Sequence, residues 1–221
     1  MGRLGHVGAV VDMRRRLFPR GFGAEVMKLI LETWNVFTLH HSVRYEEPIT
    51  ALFRRALIDA YVAAGRNWFV TLDDLNFFPP DHHGQTIFFT VECKRLNVTR
   101  LPTVKSTAEA MKRGRTLPKP TFHDLADKYV TEGMQRFLSG LYSKGLPWGG
   151  MVGYVMDNAL DTAFRRVRAE IKARRRALRI STRHADKTPS TALPAWPHSA
   201  DTRHRRSDGE FLLHHALLGV A

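Results

Sequence analysis

A single α/β domain, a central mixed sheet flanked by helices, is the fold class that this sequence predicts. Three observations predict it. Helix-like and strand-like segments alternate, in the order helix, strand, strand, helix, strand, helix. One strand-like segment, residues 86–95, is aromatic and β-branched along most of its length yet ends on an acid and a base. The chain of 221 residues, 43% of them hydrophobic, is long enough for one sizeable core and too short for two.

The elements follow in order. Residues 1–24 are Gly- and Arg-rich without a period and read as a basic tail open to disorder; 25–221 form the domain. Residues 27–39 are apolar but too short for their type to be assigned. Glu46-Glu47-Pro48 opens a helix, with acids at its positive end and proline in its first turn. Ile49, Leu52, Phe53, Ala56, Leu57 and Ala60 continue it at helical spacing, and Gly65 ends it. Residues 67–75 read as a strand and 77–84, FFPPDHHG, as a turn, so that 68–94 make a β-hairpin. Residues 97–119 are a basic loop with one helical piece.

Residues 122–142 carry one continuous apolar stripe, the clearest helix of the chain. A short strand is expected at 151–156. A second long helix is expected from Asn158, with Asp161 completing a capping box. Its core face is Leu160, Ala163, Phe164, Val167 and Ile171. Residues 181–208 read as a long loop and 210–220 as a last strand.

The charge is unusual. Net charge is +13 and the pI about 10.5, an excess that favours a polyanionic partner, nucleic acid first. No apolar run reaches the ~18 residues of a membrane span. The N-terminus places its charges after a short apolar stretch, the reverse of a signal peptide. His6 breaks the myristoylation pattern. With Cys93 as its one cysteine the chain has no internal disulfide, which suits a reducing compartment, and the expected location is cytoplasmic.

Glu92 and Lys94 are one residue apart on the 86–95 strand, so both project from one face while Ile87, Phe89, Val91 and Cys93 take the other. Burying either charge costs several kcal/mol unless it is paired or bound to a metal. Two readings follow: a salt-bridged strand end, or a divalent-metal site that cuts phosphodiesters.

Glu-x-Lys on the second strand of that hairpin, within this order of elements, resembles the PD-(D/E)XK nuclease superfamily, the restriction endonuclease-like fold. The resemblance covers roughly residues 45–176. It implies Mg²⁺- (or Mn²⁺-) dependent endonuclease action on DNA, in restriction or phage defence, with an acid on the first hairpin strand beside Glu92 and Lys94. Pro80-Asp81 matches the family's literal spelling, but Asp81 sits in the turn, some 20 Å from Glu92 at ~3.3 Å per residue. A short loop at 82–84 pairs Glu92 with Asp74; a longer loop at 79–84 brings Asp73 onto the same face. Asp74 is preferred and Asp73 is second. Asp74 and Glu92 would hold the metal, and Lys94 would orient or activate the attacking water and offset charge in the transition state. Glu47 is a fourth catalytic candidate, because related enzymes often carry a Glu on the first helix; its other reading is a helix-dipole acid.

Arg165, Arg168, Lys172, Arg175 and Arg176 form a nearly all-positive face suited to gripping a phosphate backbone. His82-His83 lie near the expected substrate side, and none of the histidine pairs has zinc-finger spacing. Tyr129, Glu132 and Arg136 can be read as an accessory motif, but packing explains Tyr129 better. The expected partner is DNA, with RNA left open, no membrane, and a homodimer allowed for. The alternative function is a non-catalytic nucleic-acid-binding module on the same fold.

Overall fold

The computed structural model describes residues 21–39, 45–66, 69–70, 75–78, 89–100, 104–117, 119, 121–180 and 188–220. Helix α1 is Phe22–Val36 and α2 is Glu46–Ala63. Strands β1 (Phe69–Val70), β2 (Leu75–Phe78) and β3 (Phe89–Leu96) follow. Strand β4 (Val98–Arg100), helix α3 (Val104–Lys112) and strand β5 (Thr121–His123) come next. Helix α4 runs through Ala126–Lys128, a π-helical stretch Tyr129–Met134 and Gln135–Leu138. Strand β6 (Trp148–Val155), helix α5 (Leu160–Ala173) and strands β7 (Ser199–Arg206) and β8 (Gly209–Gly219) complete the chain.

The protein is α/β. Its mixed sheet has the order β1-β2-β3-β6-β8-β7. The three central strands are parallel and the flanking pairs antiparallel. Strands β4 and β5 form a separate ribbon. Central parallel strands are covered on both faces and so read as apolar runs. Helices α1 and α2 cover one face, packing on Val91, Cys93, Val152 and Tyr154. Helices α4 and α5 cover the other, packing on Met151, Val155, Leu213 and Leu217.

Several expected boundaries move. The basic tail ends before residue 24: Phe22, 2% exposed, already belongs to α1. The unassigned stretch 27–39 is mostly that helix, with Val26, Met27, Ile30 and Trp34 on its buried side. The strand expected at 67–75 is two strands, and Phe77 and Phe78, read as turn, lie in β2. Phe77 is fully buried opposite Phe89, and burial outweighs the turn chemistry that follows it.

The stripe at 122–142 is helical only from Ala126 to Leu138. Phe122 pairs into the β4–β5 ribbon and is 45% exposed. Leu125, at φ +58°, breaks the chain direction before the helix starts. Helix α5 has no capping box. Asn158 is left-handed at φ +56°; the Asp157 carboxylate accepts the Ala159 N–H and the Asn97 amide, and Asp161 meets His198 instead.

The long loop expected at 181–208 contains β7. Its inward side chains are polar and find partners, so no hydrophobic alternation marks it. Thr202 Oγ1 meets His204 Nε2 at 2.7 Å and His215 Nε2 at 2.8 Å. Asp201 takes His214 Nδ1 at 2.8 Å and both the N–H and the hydroxyl of Thr191. Among the described residues, no helix is long and apolar enough to cross a membrane.

Candidate active site

The strand alternation read from residues 86–95 decides which groups meet. Phe89, Val91 and Cys93 are buried against the α1–α2 layer, and Glu92 and Lys94 project to the other face. Glu92 is only 6% exposed. Lys94 Nζ lies 3.0 Å from Glu92 Oε1 and 3.1 Å from Glu46 Oε1. Glu46 also accepts the Arg95 backbone N–H at 3.0 Å through its second oxygen. Arg136 Nη1 from α4 donates to Glu92 Oε1 at 2.9 Å and to Tyr142 Oη at 3.0 Å. Two carboxylates and two cations thus form one neutral network where α2, β3 and α4 come together.

Helix α4 can approach this closely because residue 133 is glycine. A Cβ there would come within 2.5 Å of Met151 Cε and 3.5 Å of Lys94 Cγ. The π-helical stretch lies at this contact, a departure that often marks functional positions.

The network lies on an open cleft walled by Glu46, Thr50 and Arg54 of α2 on one side and by Arg136 on the other. Burial raises the Glu92 carboxyl above its ordinary range, and the adjoining Lys94 and Arg136 pull it back only in part. Burial pulls Lys94 down, but Glu92 and Glu46 outweigh it, so its ammonium is held more firmly than usual. Behind β3, burial pushes the Cys93 thiol up to about 12 despite the 3.3 Å hydrogen bond from Tyr154 Oη; this cysteine is inert.

Glu92 and Lys94 come together. Asp74 and Asp73 lie outside the described residues, as do His82 and His83; the register beside them, Leu75 opposite Val91, is the one the short-loop reading requires. Glu47 is exposed on the cleft wall, and the carboxylate that reaches Lys94 is that of Glu46, its neighbour. Successive helical residues point about 100° apart, so only one of the two can face β3. Arg136 and Tyr142 enter the network although no site reading of the sequence placed them there. Their one signal was Arg136 in the accessory motif beside Tyr129.

The five basic residues do not share one helix face. Arg165 and Lys172 are exposed on α5, and Arg168 is half-buried with its guanidinium 5.4 Å from the Phe164 ring centre. Arg175 and Arg176 lie past the end of the helix, in the turn that follows. Arg166 and Arg174 of the same segment are paired with Asp124 and Glu170.

Tyr129 is a core residue with a polar task. Its hydroxyl meets His215 Nδ1 at 3.0 Å, and His215 Nε2 meets Thr202, which meets His204. His204 Nδ1 lies 2.7 Å from the Leu178 carbonyl and must donate to it. Every proton in the chain then has one position: Tyr129 O–H to His215, His215 Nε2–H to Thr202, Thr202 O–H to His204. The adjacent His214 points the other way, to Asp201.

Among the described residues, no group of three His, Cys, Asp or Glu side chains could by itself hold a metal ion. Glu46 and Glu92 nevertheless supply two carboxylates at one ammonium on an open cleft. A hard divalent cation commonly takes one or two carboxylates and completes its shell with water and phosphate, and this pair fits that demand. No known protein family, no curated protein and no solved structure matches the chain.

Proposed function

We propose that this protein is a Mg²⁺- or Mn²⁺-dependent DNA endonuclease with a restriction endonuclease-like core. One observation carries the reading: Glu92 and Lys94 on one face of β3 meet Glu46 of α2 at the floor of an open cleft. A nearly buried carboxylate whose ionised form is disfavoured is kept here at a cost to stability, and such groups cluster at functional sites. The basic surface suits the polyanion.

Glu92 and Glu46 would hold the divalent ion, with Asp74, or Asp73, as the further acid expected from the first hairpin strand. When bound, such an ion polarises a phosphoryl oxygen and makes a nucleophile of its water. Lys94, ion-paired with both carboxylates, would orient or activate the attacking water and donate to a phosphate oxygen, offsetting the developing charge. Arg136, hydrogen-bonded to Glu92 and Tyr142, orients the carboxylate. A role in restriction or phage defence extends this reading by analogy of fold.

The second reading, a non-catalytic nucleic-acid-binding module, is favoured by the neutrality of the network, in which the cations already satisfy both carboxylates. Mg²⁺-dependent nicking of supercoiled plasmid decides between them. Wild type is expected to cut, and Lys94→Ala to lose activity by about two to three orders of magnitude, as for removal of one preorganised donor. Absence of cutting by the wild type with either Mg²⁺ or Mn²⁺, on plasmid and on a duplex with a single-stranded flap alike, would leave the binding module.

Binding has its own test. Replacing Arg168 and Lys172 by Ala is expected to flatten the slope of log affinity against log salt by about two units on duplex DNA. The loss should be the same on unrelated sequences, because phosphates carry no sequence information. A melt checks the fold, since Ala163, Val167 and Ile171 keep α5 anchored. An unchanged slope would mean that α5 presents only solvated surface.

A further inference from the structure

The cleft that holds Glu92 and Lys94 continues past them. Glu46, Glu47 and Lys94 line it in both directions. At one end its walls carry Arg54 and Arg136. Arg54 makes no hydrogen bond or ion pair among the described residues, although it is half-buried. At the other end lie Tyr45, Arg95 and Lys128. Tyr45, one position before α2, is 69% exposed, and the Arg95 guanidinium sits 5.4 Å from its ring centre. Glu46, Glu47 and Glu92 thus lie at the middle of the groove and cations stand at both ends, Lys128 there also 3.7 Å from Glu132, and the exposed Tyr45 ring, with Arg95 over it, opens into that end.

We infer that this groove is a track for a single strand of DNA, with phosphates held by Arg54 and Arg136 on one side and by Arg95 and Lys128 on the other, and one base stacked on Tyr45. The inference deepens the nuclease reading and rests on it for the class of ligand. Basic grooves that follow a backbone and offer aromatic rings to unpaired bases are how single strands are held without sequence preference. A duplex cannot use Tyr45 in this way, because its bases already stack on each other. Substrates with an unpaired strand, such as flaps, ends and gaps, are therefore the class that this site takes.

The test is fluorescence anisotropy in EDTA, so that no cleavage intervenes, with a labelled non-self-complementary oligonucleotide and with its duplex. Wild type is expected to bind the strand more tightly than the duplex. Tyr45→Ala should weaken the strand about tenfold and leave the duplex unchanged, as expected for one lost stacking platform. Tyr45→Phe, which keeps the ring, should behave as wild type. Tyr45 is exposed, so a melt is expected to show the Ala variant folded.

Equal wild-type affinity for strand and duplex overturns the inference, and so does an equal loss, or no loss, on both probes in Tyr45→Ala. A strand-specific loss without any Mg²⁺-dependent cutting sinks the nuclease reading and leaves the track as a binding site. Cutting without strand preference does the reverse.

Discussion

Glu92→Gln is expected to lower metal-dependent cleavage about a thousandfold or more while DNA binding stays within a few-fold. A metal's Lewis-acid assistance contributes several kcal/mol, and each ~1.4 kcal/mol is a factor of ten. Gln is nearly isosteric and still accepts a hydrogen bond, but it is a poor ligand for a hard cation. The phosphate grip lies on other residues, Arg54, Arg95 and the cations around α5, so affinity survives. Stability separates this outcome from a merely structural role. The substitution removes an ionised group that burial disfavours, which helps folding, and it removes a partner of Lys94 and Arg136, which hinders folding. Lys94 keeps Glu46, and Arg136 is partly exposed, so the melting temperature should move by only a few degrees. Steady-state cleavage, anisotropy and a melt on one preparation check all three. Loss of binding in step with cutting, or a collapse of the fold, would return Glu92 to the role of a salt-bridged strand end.

A steep loss of stability in mild acid is the second large effect expected. His204 and His215 are buried and neutral, in a chain of hydrogen bonds whose proton positions leave no place for another proton. Burial pushes His204 down to about 4 and His215 down to about 3 from an ordinary value of 6.5. The hydrogen bond to the Leu178 carbonyl offsets this only in part for His204, where Arg206 adds to the lowering, and Asp201 offsets it only in part for His215, where His204 and His214 add to the lowering.

The sign follows from where the protons go. Between about pH 6.5 and pH 4 the unfolded chain binds two protons that the folded chain refuses, so stability rises with pH across that window and is complete above it. Two protons give a slope of about 2.7 kcal/mol per pH unit. The fall from pH 7 to 4.5 is then about 5 kcal/mol, comparable to the whole stability of many domains. Urea unfolding at a series of pH values measures it directly. A flat profile between pH 6 and 4.5 would mean that these imidazoles are charged or hydrated in the folded protein.

The same two sites show what could be read ahead of the structure. The two-residue alternation of 86–95 placed Glu92 and Lys94 on one face and Phe89, Val91 and Cys93 on the other, because that period is a local property of an extended backbone. Helical spacing after Glu46-Glu47-Pro48 was legible for the same reason. A strand such as β7 was not, because its buried positions are Asp201, Thr202 and His204. Polar residues are tolerated there only through partners on α4, β8 and the segment around Thr191, and no pattern within β7 announces those partners.

The sequence by itself determined the α/β class, the faces of β3 and the pairing of an acid with a lysine at its end. All of these rest on periodicities of two and 3.6 residues and on net charge, which need no knowledge of what lies across the fold. The tertiary structure alone decided that Glu46 rather than Glu47 meets Lys94, that Arg136 and Tyr142 join Glu92, and that Arg175 and Arg176 leave the α5 face. Each of these depends on the angle at which one element is laid against another. That angle is set by packing contacts between residues far apart in the chain, such as Gly133 on Met151, and local sequence holds no record of them.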